Sequence, residues 1–178
     1  AWALLNEYTS NPSLIKHMLA IEAAMRAYAR KFGEDEETWG TIGLLHDFDY
    51  EKWPSREDHP YRGAEILRAK GVAEDWIQTI LSHADYTGVP RSSLRDKALF
   101  AVDELCGFLT ACAYVRPDRR IATVEVDSVK KKLKQKSFAA QVSREDITTG
   151  AAELGVPMDE HIAFVRDAMA EVADTLGL

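Results

Sequence analysis

His46 and Asp47 stand side by side within a spaced series of imidazole and carboxylate side chains: His17, the adjacent pair, His59, His83 and Asp103. These are the groups that hold Zn, Fe, Mn, Ni or Co, and two histidines with a carboxylate leave coordination positions open for water and substrate. The series takes four of the five histidines. The fifth, His161, falls on the polar-leaning start of the last helical stretch and fits no ligand pattern. Taken singly, a histidine at a helix end is most often a cap or a partner of the helix dipole. The case for a catalytic metal rests on the set.

A buried centre needs a core to sit in. The chain has 178 residues, 46% of them hydrophobic, enough for one domain with a substantial core. Its 29 acidic against 22 basic residues give a net charge of −7, which argues against a nucleic-acid polymer lying over the surface. A small anionic substrate stays compatible with that balance if metal ions offset the local field. Cys106 and Cys112 lie six apart in an apolar helical run, so they occupy different faces and read as small buried hydrophobes rather than a disulfide. With no disulfide framework, no signal segment and no membrane-length apolar run, the chain is expected to be cytoplasmic.

The elements that must position the series are helical almost throughout. Asn11-Pro12 supplies a cap and a first-turn proline, and Leu14, Ile15, Met18, Leu19, Ile21, Met25, Tyr28 and Phe32 recur at helical spacing up to Gly33. His17 shares a stripe with Ile21 and Tyr28 and is expected to face inward. A second helix opens on the acids Glu34 to Glu37 and ends at His46-Asp47, followed by a loop from Phe48 to Pro54 over the site. Asp58-His59-Pro60 opens a third helix stopped by Gly71, and a fourth, from Ala73, ends at His83. Ser92-Ser93 caps the most apolar segment, Leu94 to Val115, with Asp103 embedded in it. An unpaired carboxylate there would cost several kcal/mol, so a metal or a buried cation should accompany it. Beyond Arg116-Pro117 a short helix with Val129 and Leu133, a capped helix from Ser143 to Gly155 and a last amphipathic helix form a lid or flank.

The order His, His-Asp, His, His and then Asp on a hydrophobic helix resembles the HD superfamily of metal-dependent hydrolases over about residues 11–116. That resemblance implies an all-α fold and, for most members, cleavage of phosphate esters. It also implies one HD domain over residues 1–178, with a metal-binding helical core at about 11–116 and a helical flank at about 117–178. By the same resemblance His17, His46, Asp47 and Asp103 look like ligands of a first metal, Asp47 can bridge to a second, and His59 and His83 complete that second site. Asp47, His59 and His83 are then also the candidate catalytic groups.

Two divalent ions chosen from Mn, Fe, Co, Ni and Zn would activate a water between them and neutralise phosphoryl charge. With one ion only, His59 and His83 would instead bind substrate or shuttle protons. The two-metal arrangement is preferred. The pair is followed by Phe48-Asp49, and His83 stands alone, which departs from the cyclic-dinucleotide branch with its Ile-Gly-Lys type sequence and neighbouring histidines. Deoxynucleotidase and triphosphohydrolase members tend to lack the two middle histidines. A branch that uses mixed-valent iron and O2 has a ligand order equally similar. The expected function is therefore a metal-dependent phosphohydrolase acting on a small phosphorylated compound or nucleotide. A di-iron oxygenase and a non-catalytic metal- or nucleotide-sensing module are the alternatives.

Other residues bear on specificity. Asp49 and Glu51 read either as supports for the ligands or, by preference, as solvated loop acids. Glu104, about 100° round the helix from Asp103, reads as a surface or salt-bridged group. Arg62, Arg91 and Arg95 are candidate clamps for an anionic oxygen, with ordinary exposed arginines the preferred reading. The lysines at 130, 131, 132, 134 and 136 read as a solvated face, with Lys134 or Lys136 placed to reach the pocket. Trp39, Trp53, Trp76 and the Phe48–Tyr50 pair read as core or lid aromatics.

Overall fold

The computed structural model describes residues 1–178. Its regular structure is wholly helical. α1 (Trp2–Tyr8), α2 (Pro12–Phe32) and α3 (Glu36–Leu45) are followed by α4 (Tyr61–Ala69), α5 (Glu74–Ser82) and the long α6 (Leu94–Tyr114). α7 (Val126–Leu133), α8 (Arg144–Leu154), α9 (Met158–Ala170) and α10 (Ala173–Leu176) complete the chain. The sequence reading began at Asn11. It had no account of α1, which buries Leu5 and sets the Tyr8 ring edge-on against Phe48.

The helix boundaries follow from local chemistry. The Asn11 side chain accepts from Ser13 N–H ahead of Pro12, and Gly33 closes α2 in the left-handed region at φ 71°. Asp35 caps α3 through Thr38 N–H, and Ser93 with Asp96 forms a full capping box on α6. α4 starts at Tyr61, so His59 stands in the turn just before the helix rather than inside it.

α6 is the central strut, with α2, α5, α8 and α9 packed around it, while α3 lies along α2. Ile21, Met25 and Tyr28 from α2, and Leu99, Val102, Leu105 and Phe108 from α6, are fully buried. Each such side chain contributes roughly 1.5–3 kcal/mol of burial. Ile147, Ile162, Val165 and Met169 join the same core, so the tail flanks the bundle and also completes it. Cys106 and Cys112 are free and buried, as their positions in the apolar run require. No helix is long and apolar enough to cross a membrane.

Three ties fix the helices that carry the series. Asp96 caps α6 and also accepts from Thr79 Oγ1 of α5 at 2.6 Å, which holds the His83 end of α5 against α6. Glu51 accepts the backbone N–H groups of Ser10 and Asn11, both at 2.8 Å, and so anchors the start of α2 to the segment after His46-Asp47. Gly43 lets α3 approach α2 closely, since a Cβ there would stand 3.1 Å from the Ile21 carbonyl oxygen.

His161 corrects the sequence reading. It is fully buried, not set on a polar face, because its side of α9 packs between α2 and α6. Its Nε2 donates to the Ala101 carbonyl at 3.0 Å, which leaves Nδ1 to accept from the Tyr28 hydroxyl at 2.6 Å. Burial pushes this imidazole below its ordinary value of 6.5, and the folded chain keeps it neutral. The unfolded chain takes up a proton there below about pH 6.5, so the stability His161 supplies is present above that pH and falls as the pH drops. His161→Ala should cost about 3 kcal/mol at pH 7.5, because two buried partners are stranded. The gap to wild type in denaturant midpoint should narrow at pH 5.5 while metal retention is unchanged. A gap that stays constant with pH would refute this account.

Candidate metal centre

Five separate elements deliver the six residues of the series. His17 projects from the second turn of α2, His46 caps the C-terminal end of α3 with Asp47 next to it, and His59 precedes α4. His83 caps the C-terminal end of α5, and Asp103 projects from the middle of α6. The side chains converge as two groups, His17 with His46 and Asp103, and Asp47 with His59 and His83, and the potential ligand atoms within each group lie within 4.8 Å of one another.

Asp47 joins the two groups through its two oxygens. Oδ1 lies 3.2 Å from Nε2 of both His59 and His83, while Oδ2 lies 3.5 Å from His46 Nε2. Asp103 Oδ1 lies 3.0 Å from His17 Nε2 and 3.6 Å from His46 Nε2. Ligand atoms about 2.1 Å from a shared ion are separated by about 3.0 Å in an octahedral and about 3.4 Å in a tetrahedral shell, which is the spacing seen here. His46 Nε2 and Asp47 Oδ1 are buried yet have no hydrogen-bond partner. Buried polar atoms left in that state cost free energy unless a ligand takes them up. The residues fit a metal ion on both counts.

The opposite ring nitrogens are fixed. His46 Nδ1 donates to the Gly43 carbonyl at 2.8 Å, and His83 Nδ1 donates to the Ile80 carbonyl, each three residues back in its own helix. His59 Nδ1 donates to Asp49 Oδ1 at 2.8 Å, and Asp49 Oδ2 accepts from Gly63 N–H at 2.8 Å. A Cβ at Gly63 would fall 2.9 Å from Asp49 Cγ, so glycine is required there. Since carbonyls and carboxylates only accept, Nδ1 carries the proton in all three rings and Nε2 is the atom presented to the centre.

The electrostatics agree. Burial would push Asp47 up, but His46, His59 and His83 outweigh it and hold the carboxyl well below the usual range. Asp103 behaves likewise, with His46 and His17 overcoming its burial. Burial pushes His46 down, yet Asp47 and Asp103 raise it to about 9, and Asp47 with Asp49 raises His59 to about 10 against the same opposition. The carboxylates thus draw positive charge to the Nε2 side of the rings, which a metal ion could supply in place of protons.

The centre opens into a cleft of about 800 Å³. Tyr50, standing edge-on to His59, forms one wall with Arg56 and Tyr86, and the Tyr86 hydroxyl donates to the His59 carbonyl at 2.9 Å. Glu104, Asp146 and Ser143 also line the cleft. The tail is tied to α6 at the cleft by Ser143 N–H donating to Glu104 at 3.1 Å and by the Arg144 guanidinium 5.0 Å from the Phe108 ring centroid, while Arg144 also donates to the carbonyls of Ala139 and Val142 within the tail.

All six residues of the series are brought together. Two supporting readings, those of Asp49 and Glu104, are corrected. Asp49 is a buried partner of His59, not a solvated acid, whereas Glu51 is the exposed anchor of α2 and stands outside the centre. Glu104 is half-buried in the cleft wall without a salt bridge, accepting only Ser143 N–H, and burial and Asp103 push it up to about 7. Arg62 pairs with Asp58 and Glu65, Arg91 with Asp85 and Glu153, and Arg95 with Asp75, so none clamps an oxygen at the centre. None of the lysines from 130 to 136 lines the cleft, Lys134 and Lys136 included, and Lys130 pairs with Asp159. Sequence reasoning missed Arg56, which sits in an aperiodic polar run that offers no face to count. It also missed Tyr86 and the tail residues, which no local spacing ties to the site.

Fold and site together define an all-helical protein with a histidine–aspartate centre able to hold metal. A family model for the HD domain matches residues 14–107, more than half of the chain, and the chain belongs to that family. HD domains bind divalent metals and are generally metal-dependent hydrolases. No curated protein and no solved structure matches the chain.

Asp47→Ala and Asp103→Ala should each abolish metal retention, measured by elemental analysis of protein purified without chelator. Asp49→Asn should weaken metal binding about 10–100-fold in a competition titration, because it loosens the tautomer and aim of His59. Glu51→Gln should leave that affinity unchanged. Equal affinities for wild type and Asp49→Asn would show that Asp49 does not orient a ligand.

Proposed function

We propose that the chain is a metal-dependent phosphohydrolase acting on a small monophosphorylated compound at a centre for two divalent ions. His17, His46 and Asp103 would hold one ion and His59 and His83 the other, with Asp47 between them. The observation that carries this reading is the division of the Asp47 oxygens, one toward His46 and the other toward His59 and His83. Ions so placed lower the pKa of a shared water and offset charge on phosphoryl oxygens.

The chain's own groups do the rest. His59 and His83 have both nitrogens committed, Nδ1 to an acceptor and Nε2 to the centre, so they serve here as ligands rather than proton shuttles. Asp47 and Asp103 set the negative field that keeps the ions in place. Arg56 is the one arginine or lysine in the cleft lining and has no carboxylate partner, and its guanidinium rests 5.2 Å from the Tyr86 ring centroid. It is placed to offer N–H groups to a non-bridging oxygen. Asp85, Glu104 and Asp146 also line the cleft. Asp85 is paired with Arg91, but Glu104 and Asp146 have no cationic partner, and a polyphosphate chain would meet them where a single phosphoryl group directed at the ions would not.

The test is to strip the protein with chelator, reload it with Mn, Co, Ni or, without air, Fe, and assay a panel of phosphate monoesters for released phosphate. Release dependent on Mn, Co or Ni is expected. Two equivalents of iron with O2 consumption and no phosphate would establish the oxygenase chemistry instead, and a filled centre with no turnover of either kind would establish a sensing module. With p-nitrophenyl phosphate as substrate, Arg56→Ala should raise KM about tenfold at unchanged metal content, with partial recovery in Arg56→Lys. An unchanged KM would remove Arg56 from the substrate site.

A further inference from the structure

Ten glycines punctuate the chain, and nine have a local reason. Gly33, Gly71, Gly88, Gly155 and Gly177 take positive φ at turns and helix ends. Inside helices, a Cβ at Gly40 would fall 2.6 Å from the Arg26 side chain, at Gly43 3.0 Å from Met25, at Gly63 2.9 Å from Asp49, and at Gly150 2.6 Å from the Ala101 backbone. Gly107 is the exception. It lies within α6, has helical backbone, and a Cβ there would meet nothing within 4 Å. Glycine inside a helix destabilises it relative to alanine. Packing does not call for it at this position.

What Gly107 leaves is space beside the metal centre. It lies four residues after Asp103, on the same helix face, one turn further along. It lines the main cleft, and it also lines a second cavity of about 210 Å³ bounded by Ser13, Lys16, Thr110, Tyr114, Leu176 and Leu178. His17 and Gly107 are the two residues common to both. Gly107 and His17 thus stand at the boundary between the cleft and that cavity.

We propose that Gly107 is a specificity-determining residue whose missing side chain makes room for the non-reacting part of the substrate, which extends from the centre past His17 toward Thr110 and Tyr114. The walls there offer hydroxyls, an aromatic ring, two leucines and one lysine, chemistry suited to a ring-sized, largely uncharged group. The proposal rests on the phosphohydrolase reading above and narrows its substrate class to phosphomonoesters carrying such a group.

The test uses the metal-loaded protein and two unreactive probes of different size, methylphosphonate and phenylphosphonate, with binding measured by calorimetry. Wild type should bind both. Gly107→Leu should lose tenfold or more in affinity for phenylphosphonate while keeping methylphosphonate affinity and metal content. Gly107→Ala should raise Tm by about 2–4 °C, the shift a helix glycine forgoes in a chain of this size. Undiminished phenylphosphonate binding by Gly107→Leu, or a lower Tm for Gly107→Ala, overturns the proposal. If wild type binds neither probe, the phosphohydrolase reading fails, and the Tm of Gly107→Ala decides for Gly107 alone: a rise keeps it as a glycine retained for room and a fall removes it.

Discussion

Two carboxylates held away from water in the middle of a helical bundle set the terms for the rest of the molecule. Asp47 and Asp103 have side chains only 16% and 20% exposed, and burial acts against their charged forms. Uncompensated, such charges would cost several kcal/mol each, a large part of the stability of a domain of this size. The fold answers with imidazoles from four separate elements, whose Nε2 atoms all face the two acids. One of those atoms, on His46, is buried and unpartnered. A centre built this way is poorly satisfied by its own side chains and well satisfied by a cation.

The helix-to-helix ties make sense as the means of keeping that convergence fixed. The Asp96 cap locks α5 to α6 and so sets His83 relative to Asp103. The Glu51 anchor does the same for α2 and the segment after Asp47, and the close approach at Gly43 brings His46 toward His17. His161 works from the opposite side, joining α9 to Tyr28 of α2 and Ala101 of α6. Both helices it grips carry a residue of the centre. A shift of either helix by an ångström would spoil ligand separations that now span only 3.0 to 3.6 Å.

Which features were legible in the sequence depends on how local their causes are. Caps at Asn11, Ser93 and Ser143 and the stops at Gly33 and Gly155 are written within a few residues, so most helices could be placed beforehand. The six centre residues were legible by type and order, because their chemistry is rare and each sits at a recognisable helix end or apolar stripe. Asp49 and Glu51 could not be told apart, since both are acids in one short segment. Their opposite fates are set by Gly63 and by Ser10 and Asn11, which lie elsewhere in the chain. His161 misled because helix amphipathicity predicts which face is polar but not that α2 and α6 both present polar partners to it. Glu104 was assigned to the surface because the tail segment that half-covers it, through Ser143, has no sequence signal linking it to α6.

The charge of the cleft bears on how metal and substrate relate. Arg56 is its single permanent cation, against Glu104 and Asp146, which have no cationic partner, in addition to the acids of the centre, while Asp85 is paired with Arg91. The chain as a whole carries −7, so long-range steering does not favour an anion either. On the phosphohydrolase reading proposed above, attraction for a phosphoryl group would therefore come mainly from bound ions. Binding of metal and of anion then becomes a linked pair of equilibria. Each bound ion would raise the affinity for the anion, and by reciprocity the anion would raise the affinity for the ion by the same factor. A weakly held ion, expected where a ligand such as His59 depends on the non-local support of Asp49, would be retained most firmly while substrate is bound.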